Sequence, residues 1–194
     1  MQRRSIILSG ILCLLLLLIP VSGLRHDIPE KDFSPREPKN PKLLAYEPLL
    51  REYADSIGWD WRLLASIVYH ESRFTNEAKS HKGATGLMQI NSSRYSEESL
   101  LNPSFNLYVG TAYLKKLEHM YAASSALDTL KFALAAYNLG DGKVRQLVGM
   151  TRDAGRDATC WDTVALMLPK GHHTVSYVQK VLDSYDAYRR LYPR

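Results

Sequence analysis

From residue 49 onward, apolar positions recur every three or four residues. Leu49, Leu50, Tyr53, Ala54 and Ile57 make one stripe, and Gly58 stands where a helix would stop. Asp60 is placed to cap a second helix whose inner face runs through Leu63, Leu64, Ile67 and Val68. Glu71 continues that face by the same spacing, so the pattern aims a carboxylate inward. Three more stretches keep the helical period: residues 106–121 with Leu107, Leu114 and Leu117 inward, residues 127–138, and residues 175–191 with Tyr177, Val178, Val181, Leu182 and Tyr185. Residues 79–93 lose it. Gly83 and Gly86 interrupt the pattern ahead of Leu87-Met88-Gln89-Ile90-Asn91, which predicts a loop or short hairpin. Helices do not alternate with apolar strands, and no repeat of roughly 20–50 residues is visible. The expected fold is mainly α, with little sheet.

The first residues change the picture of where the domain lies. Met1-Gln2-Arg3-Arg4 precedes an apolar run over residues 6–19, closed by Pro20 and the small residues Ser22 and Gly23. This is the layout of an export signal over residues 1–23. The run is shorter than the roughly 20 residues needed to span a bilayer, so cleavage near Gly23 is expected. A retained segment would instead associate the protein with a membrane. Cys13 follows Leu12 and not a small residue, which speaks against lipid attachment. Residues 24–41 carry Pro29, Pro35, Pro38 and Pro41 among charged residues, the composition of an extended tether. Residues 42–194 then form one globular domain.

Removal of the signal leaves Cys160 without a partner, so no internal disulfide is expected even in an oxidising compartment. It also leaves 23 basic against 20 acidic residues. That mild surplus suits an acidic polymer, but the lysines and arginines are scattered, without the stripe that nucleic acid requires. No nucleic-acid partner is expected.

A carboxylate on the apolar face of a helix is costly to bury charged, so desolvation raises its pKa and equips it as a general acid. The competing reading has the Glu71 tip in solvent, or paired with Arg73 or Lys79. Context weighs against it. Glu71-Ser72 is followed by Gly86-Leu87-Met88-Gln89-Ile90, then by Ala135-Ala136-Tyr137-Asn138-Leu139-Gly140, then by Tyr177-Val178. In this order, with helical patterning between them, the motifs resemble those of lytic transglycosylases of the soluble-lytic-transglycosylase (SLT) type, relatives of goose-type lysozyme. The likeness is greatest to the catalytic domain of the membrane-bound F type and covers roughly residues 43–190.

The resemblance implies a single lysozyme-like domain, mainly α, with a small loop or β-hairpin element, acting on the glycan strands of peptidoglycan. It implies that Glu71 protonates the glycosidic oxygen between N-acetylmuramic acid (MurNAc) and N-acetylglucosamine (GlcNAc). As carboxylate, Glu71 then accepts the proton of the muramyl C6 hydroxyl, giving a 1,6-anhydro end. One carboxylate suffices because the nucleophile is part of the substrate, held at high effective molarity. Hydrolysis instead uses two carboxylates, about 5 Å apart when configuration is retained and farther when inverted. Between Glu77 and Glu97 there is no acid, which favours the lyase, although Glu77, Glu97, Glu98 or Asp141 could approach through the fold. No cofactor is required.

Ser72, Gly86, Met88, Gln89, Tyr137, Asn138 and Tyr177 are carried over as substrate-binding positions. Gln89 and Asn91 offer amides for sugar hydroxyls, and Met88 a soft apolar surface for a sugar face. Gly83 and Gly86 would supply positive φ or close backbone approach to substrate. Tyr137 would bring its hydroxyl near the carboxylate and Asn138 would lie in the cleft, with core packing and a helix cap as their structural alternatives. Tyr177 would reach the same cleft or pack beside Val181. Some relatives have a glutamate shortly before that tyrosine, whereas residues 172–176 here contain no acid. Adjacent His172 and His173 should diverge and have no partner at ligand spacing, so no metal is expected. Two other functions fit less well: a goose-type lysozyme-like hydrolase, and a noncatalytic wall-binding module. For the second, altered residues at positions 71 and 89 would be expected, and neither is altered.

Overall fold

Asn40 turns the chain into its first helix. Its side-chain oxygen accepts from the Lys42 amide at 3.0 Å, and Pro41 takes the first helical position, where no amide is needed. The computed structural model describes residues 40–91, 95–121 and 123–193, so the export signal and nearly all of the expected tether lie outside the described residues. Pro41, expected as the end of the tether, begins helix α1 (Pro41–Ile57). Gly58 closes it in the left-handed conformation with φ 74°.

Asp60 caps α2 (Trp61–Ser72), accepting from the Arg62 amide at 3.0 Å. Residues 61–68 of α2 are all buried, so this helix is enclosed on every side and not merely amphipathic. It lies between α1 and α8 (His173–Leu191). Leu64, Ala65, Ile67 and Val68 are fully buried, and each large aliphatic side chain so placed contributes roughly 1.5–3 kcal/mol.

The remaining helices surround that core. The short α3 (Glu97–Leu100) leads to α4 (Pro103–Met120), which starts earlier than the apolar pattern indicates because Asn102 caps it and Pro103 fills its first position. Helix α5 (Ala126–Leu139) packs on α4 and α8, and α4 packs on α1. Helix α6 (Asp141–Asp153) and the short α7 (Trp161–Ala165) complete the shell against α5. The apolar pattern of the sequence announces neither α6 nor α7. Only Val144, Leu147 and Thr151 are buried along α6, a thin stripe diluted by Gly142 and Gly149.

Residues 79–90 form the expected small element in reduced form, two isolated antiparallel bridges joining Thr85 to Lys79 and to Ile90. The fold of the described residues is mainly α, and none of their helices is long and apolar enough to cross a membrane. Both ends of the domain meet: the Asn40 amide donates to the Tyr192 hydroxyl at 3.1 Å, and the buried Arg62 donates to the Tyr192 carbonyl at 2.9 Å.

Candidate active site

Glu71 occupies the last turn of α2, where the enclosed helix reaches the protein surface. Its carboxyl is only partly exposed. The Tyr177 hydroxyl, from the first half of α8, donates to Glu71 Oε1 at 2.6 Å. Burial dominates the electrostatics and raises the Glu71 pKa to about 7, the Tyr177 hydrogen bond pulling the other way. Neither cation considered as a partner is engaged with it. The Arg73 guanidinium lies 3.9 Å above the Tyr69 ring, and Lys79 pairs with Glu97.

Arg73 and Phe74 adopt φ of 54° and 56°, and Gln89 adopts 50°, the three non-glycine residues with positive φ among the described residues. Each such conformation costs about 1–2 kcal/mol. All three flank Glu71 in sequence or lie in the Gly86 to Asn91 loop, and strain gathered in this way marks a site whose shape is imposed by its surroundings.

The loop opposite Glu71 is fixed by a residue that the motif pattern did not single out. Asn106, fully buried on α4, accepts from the Met88 amide at 2.8 Å and donates to the carbonyls of Thr85 at 2.9 Å and Leu100 at 2.8 Å. Its single apparent role in the sequence was to open an apolar stretch. A buried amide with several loop partners is visible only in three dimensions.

Several expected substrate positions are occupied otherwise. Gly86, at φ 83°, has no room for a side chain, because a Cβ would run into the Asn106 amide and lie 2.6 Å from the Leu100 carbonyl. Its close approach is to the protein itself. Gly83, at φ 82° in open space, serves the turn. Met88 is 0% exposed and packs against Gly110, so its side chain cannot offer a surface to a sugar. Ser72 is 7% exposed and returns its hydroxyl to the Val68 carbonyl at 3.2 Å, as a polar group in an enclosed helix must. Asn138 accepts from the Thr174 hydroxyl at 2.8 Å and so fastens the end of α5 to the start of α8. His172 and His173 do not diverge: their rings stack 4.4 Å apart, and His172 Nδ1 accepts from the Thr174 amide to cap α8.

The two tyrosines divide their tasks differently from expectation. Tyr177, not Tyr137, holds the carboxylate. The Tyr137 hydroxyl donates to the Met88 carbonyl at 2.7 Å, and the nearby Glu71 charge joins burial in raising its pKa far above the ordinary value. Tyr137 also lines a groove of about 580 Å³ bordered by Gln89, Asn91, Tyr95, Tyr108 and Tyr113. Gln89 commits its amide hydrogens to the carbonyls of Ala78 at 3.0 Å and Gly86 at 3.1 Å, which leaves its oxygen to accept from a ligand. Asn91 donates to the Lys82 carbonyl at 3.1 Å.

The acids that might have served as a second carboxylate are placed elsewhere. Glu97 pairs with Lys79, Asp141 with Arg145 at 3.1 Å, and Glu77 and Glu98 are exposed. Burial and Tyr177 account for the Glu71 shift, with no contribution from another carboxylate.

Known proteins share this arrangement of chain. The sequence is 33% identical over 166 residues to the membrane-bound lytic murein transglycosylase F of Desulfosudis oleivorans, a match covering 75% of this chain and 36% of that protein. The 70 kDa soluble lytic transglycosylase of Escherichia coli superposes with a TM-score of 0.60 at 29% identity, covering 75% of this chain and 24% of that one. An inactive Glu→Gln mutant of the lytic transglycosylase Slt from Pseudomonas aeruginosa gives a TM-score of 0.60 at 28% identity, over 76% and 24% of the two chains. The chain thus spans about a third of the length of its curated relatives and a quarter of these solved structures. The sequence profile of the Transglycosylase SLT domain matches residues 48–159, more than half of the chain, and the protein belongs to that family.

Proposed function

We propose that this protein is a peptidoglycan lytic transglycosylase in which Glu71 serves first as general acid and then as general base. The observation that carries the reading is a carboxyl with its pKa raised to about 7 by burial and held by the Tyr177 hydroxyl, while the described residues that line the groove at Tyr137 include no acid. At neutral pH about half of such groups hold a proton, so one residue can both give and take one. Protonated Glu71 donates to the leaving GlcNAc oxygen as the bond to muramyl C1 breaks. The resulting carboxylate accepts the C6 hydroxyl proton while C6 oxygen closes on C1. The proton returns to Glu71, no water is consumed, and the product is a 1,6-anhydromuramyl end. Tyr177 stabilises the carboxylate between the two transfers, and the Gln89 oxygen accepts from a sugar hydroxyl or amide.

That curated and solved relatives are named lytic transglycosylases supports the substrate class, and the inactive Glu→Gln relative supports dependence on a glutamate. The N-terminal layout supports export to the cell envelope, with residues 1–23 as signal or anchor and residues 24–39 as tether ahead of the Asn40 cap of α1. N-terminal sequencing of the exported protein separates the two, since a retained Met1 excludes cleavage near Gly23.

Glu71→Gln tests the assignment. It keeps the shape and an oxygen for Tyr177 but removes the titrating group, and turnover on purified peptidoglycan should fall by roughly 10³-fold or more. A loss near tenfold would remove Glu71 from the chemistry. Mass spectrometry of the products of the unaltered protein should show anhydro ends, lighter by one water than reducing ends. Reducing ends would make the protein a hydrolase.

A further inference from the structure

Helix α4 gives the groove a direction. Val109, Ala112, Tyr113 and Lys116 all line it, spaced so that one face of the helix runs along the groove. Tyr113 lies on the side of the groove nearer the carboxyl: its ring is 5.8 Å from that of Tyr137, another lining residue, whose hydroxyl binds the carbonyl of Met88 in the catalytic loop. The two sides of Tyr113 differ. Toward the start of α4 the described lining residues are aromatic and uncharged: Tyr108 is 59% exposed, and Tyr95 packs edge-on at 5.3 Å against Phe105. Toward the end of α4, one turn or roughly 5 Å beyond Tyr113, comes Lys116.

Among the described residues that line the groove, Lys116 is the single charged one. Nearby carboxylates are already engaged: Glu118 binds Lys115 at 2.7 Å and the Trp59 indole at 3.0 Å, and Asp141 pairs with Arg145. Among the described residues no ion pair holds the Lys116 ammonium. A groove for neutral sugars alone needs no cation. One placed beside the reacting end and left unpaired is suited to an anion carried by the ligand.

We propose that Lys116 binds a carboxylate carried by the glycan strand, next to the bond that is cut, while Tyr108 and Tyr95 stack on neutral sugar rings on the other side. The pairing sets the direction in which a strand lies along the groove. The inference rests on the proposed action on peptidoglycan and specifies the charged part of that substrate. The same carboxylate chemistry has two sources: the lactyl group of a muramic acid stripped of peptide, and the acidic residues of an attached peptide stem.

Binding can be separated from cutting in the Glu71→Gln background. Three ligands of equal sugar length are compared by calorimetry: peptide-bearing glycan fragments, the same fragments with stems removed by an amidase, and chitooligosaccharides, which have no carboxylate. Lys116→Ala should weaken binding of a carboxylate-bearing fragment roughly three- to tenfold and leave chitooligosaccharide binding within twofold. Lys116→Arg should restore it, and raising salt toward 1 M should erase the difference, because an exposed pair is then screened. Loss confined to stripped fragments identifies the lactyl carboxylate, and loss confined to peptide-bearing fragments identifies the stem. Equal loss on the neutral oligomer, or no loss on either charged fragment, overturns the role of Lys116 while leaving the action on peptidoglycan intact. If none of the three ligands binds, the substrate reading fails and this one with it.

Discussion

The two walls of the site are built on different principles. On the helical wall, α2 and α8 bring Glu71 and Tyr177 together across 106 positions of sequence, and the side chains themselves carry the chemistry. On the loop wall, residues 85–91 turn their side chains to the making of the loop. Met88 is buried, Gly86 yields space to Asn106, and the Gln89 amide hydrogens tie the turn to itself. What this wall offers outward is mostly shape, the amide oxygens of Gln89 and Asn91, and an anchor for Tyr137. A motif in a cleft therefore need not touch ligand; damage to the two walls should register in different measurements.

The largest stability effect should come from the loop wall. Gly86→Ala would place a methyl against the Asn106 amide and the Leu100 carbonyl while forcing alanine to φ 83°. Left-handed strain and overpacking together cost about 2–5 kcal/mol, a large share of a typical domain's stability. Urea unfolding should show a midpoint lowered accordingly. The pH at which activity of the remaining folded protein falls should not move, because Glu71 keeps its surroundings. An unaltered midpoint would mean that the loop repacks freely, and the contrast between the walls would lose its basis.

The helical wall should show the opposite sign. The folded pKa of Glu71, about 7, lies above its ordinary value of 4.5. Its contribution to stability is fully present below pH 4.5 and is lost as pH rises through 7. The difference corresponds to roughly 3 kcal/mol. Glu71→Gln has no proton to lose, so this part of the pH dependence should vanish. At pH 8 the variant should be more stable than the unaltered protein by up to ~3 kcal/mol, and at pH 4 the two should be nearly equal. Thermal melts at both pH values check this; equal melting temperatures at pH 8 would show that the carboxylate is well solvated after all.

The same division explains how far the sequence could be read. Leu49 to Ile57 and Leu63 to Val68 announce their helices because a period near 3.6 residues is a local property, and Gly58 and Asp60 punctuate them locally. The inward course of Glu71 follows from that same period. Helix α6 escaped because three buried positions in thirteen make too thin a stripe. The site contacts that escaped are non-local: Asn106 reaches residues 85, 88 and 100, and nothing in its neighbourhood announces that a buried amide is needed there. Met88 and Ser72 belong to the motifs yet are buried, because motif membership identifies a position as important without saying which way its side chain points. Lys116 belongs to no motif, and its interest comes only from the groove that its helix face lines.

The smallest effect would sharpen the comparison most, because it separates two tyrosines whose expected roles the structure exchanges. The Tyr177 hydroxyl favours the charged form of Glu71, so Tyr177→Phe should raise that pKa further and move the alkaline fall of kcat/KM to higher pH. Activity below that fall should drop less than tenfold, since Glu71 remains to transfer the proton. Stability should change by about 1 kcal/mol, the usual net worth of one hydrogen bond. Tyr137→Phe instead frees the Met88 carbonyl and should loosen the loop wall, lowering stability by a similar amount while the alkaline fall stays nearer its original pH. The two variants thus look alike in a melting curve and differ in a pH profile. If Tyr137→Phe moved the profile as far as Tyr177→Phe does, the loop wall would be setting the charge of Glu71 as much as its helical neighbours, and the division of labour between the walls would have to be redrawn.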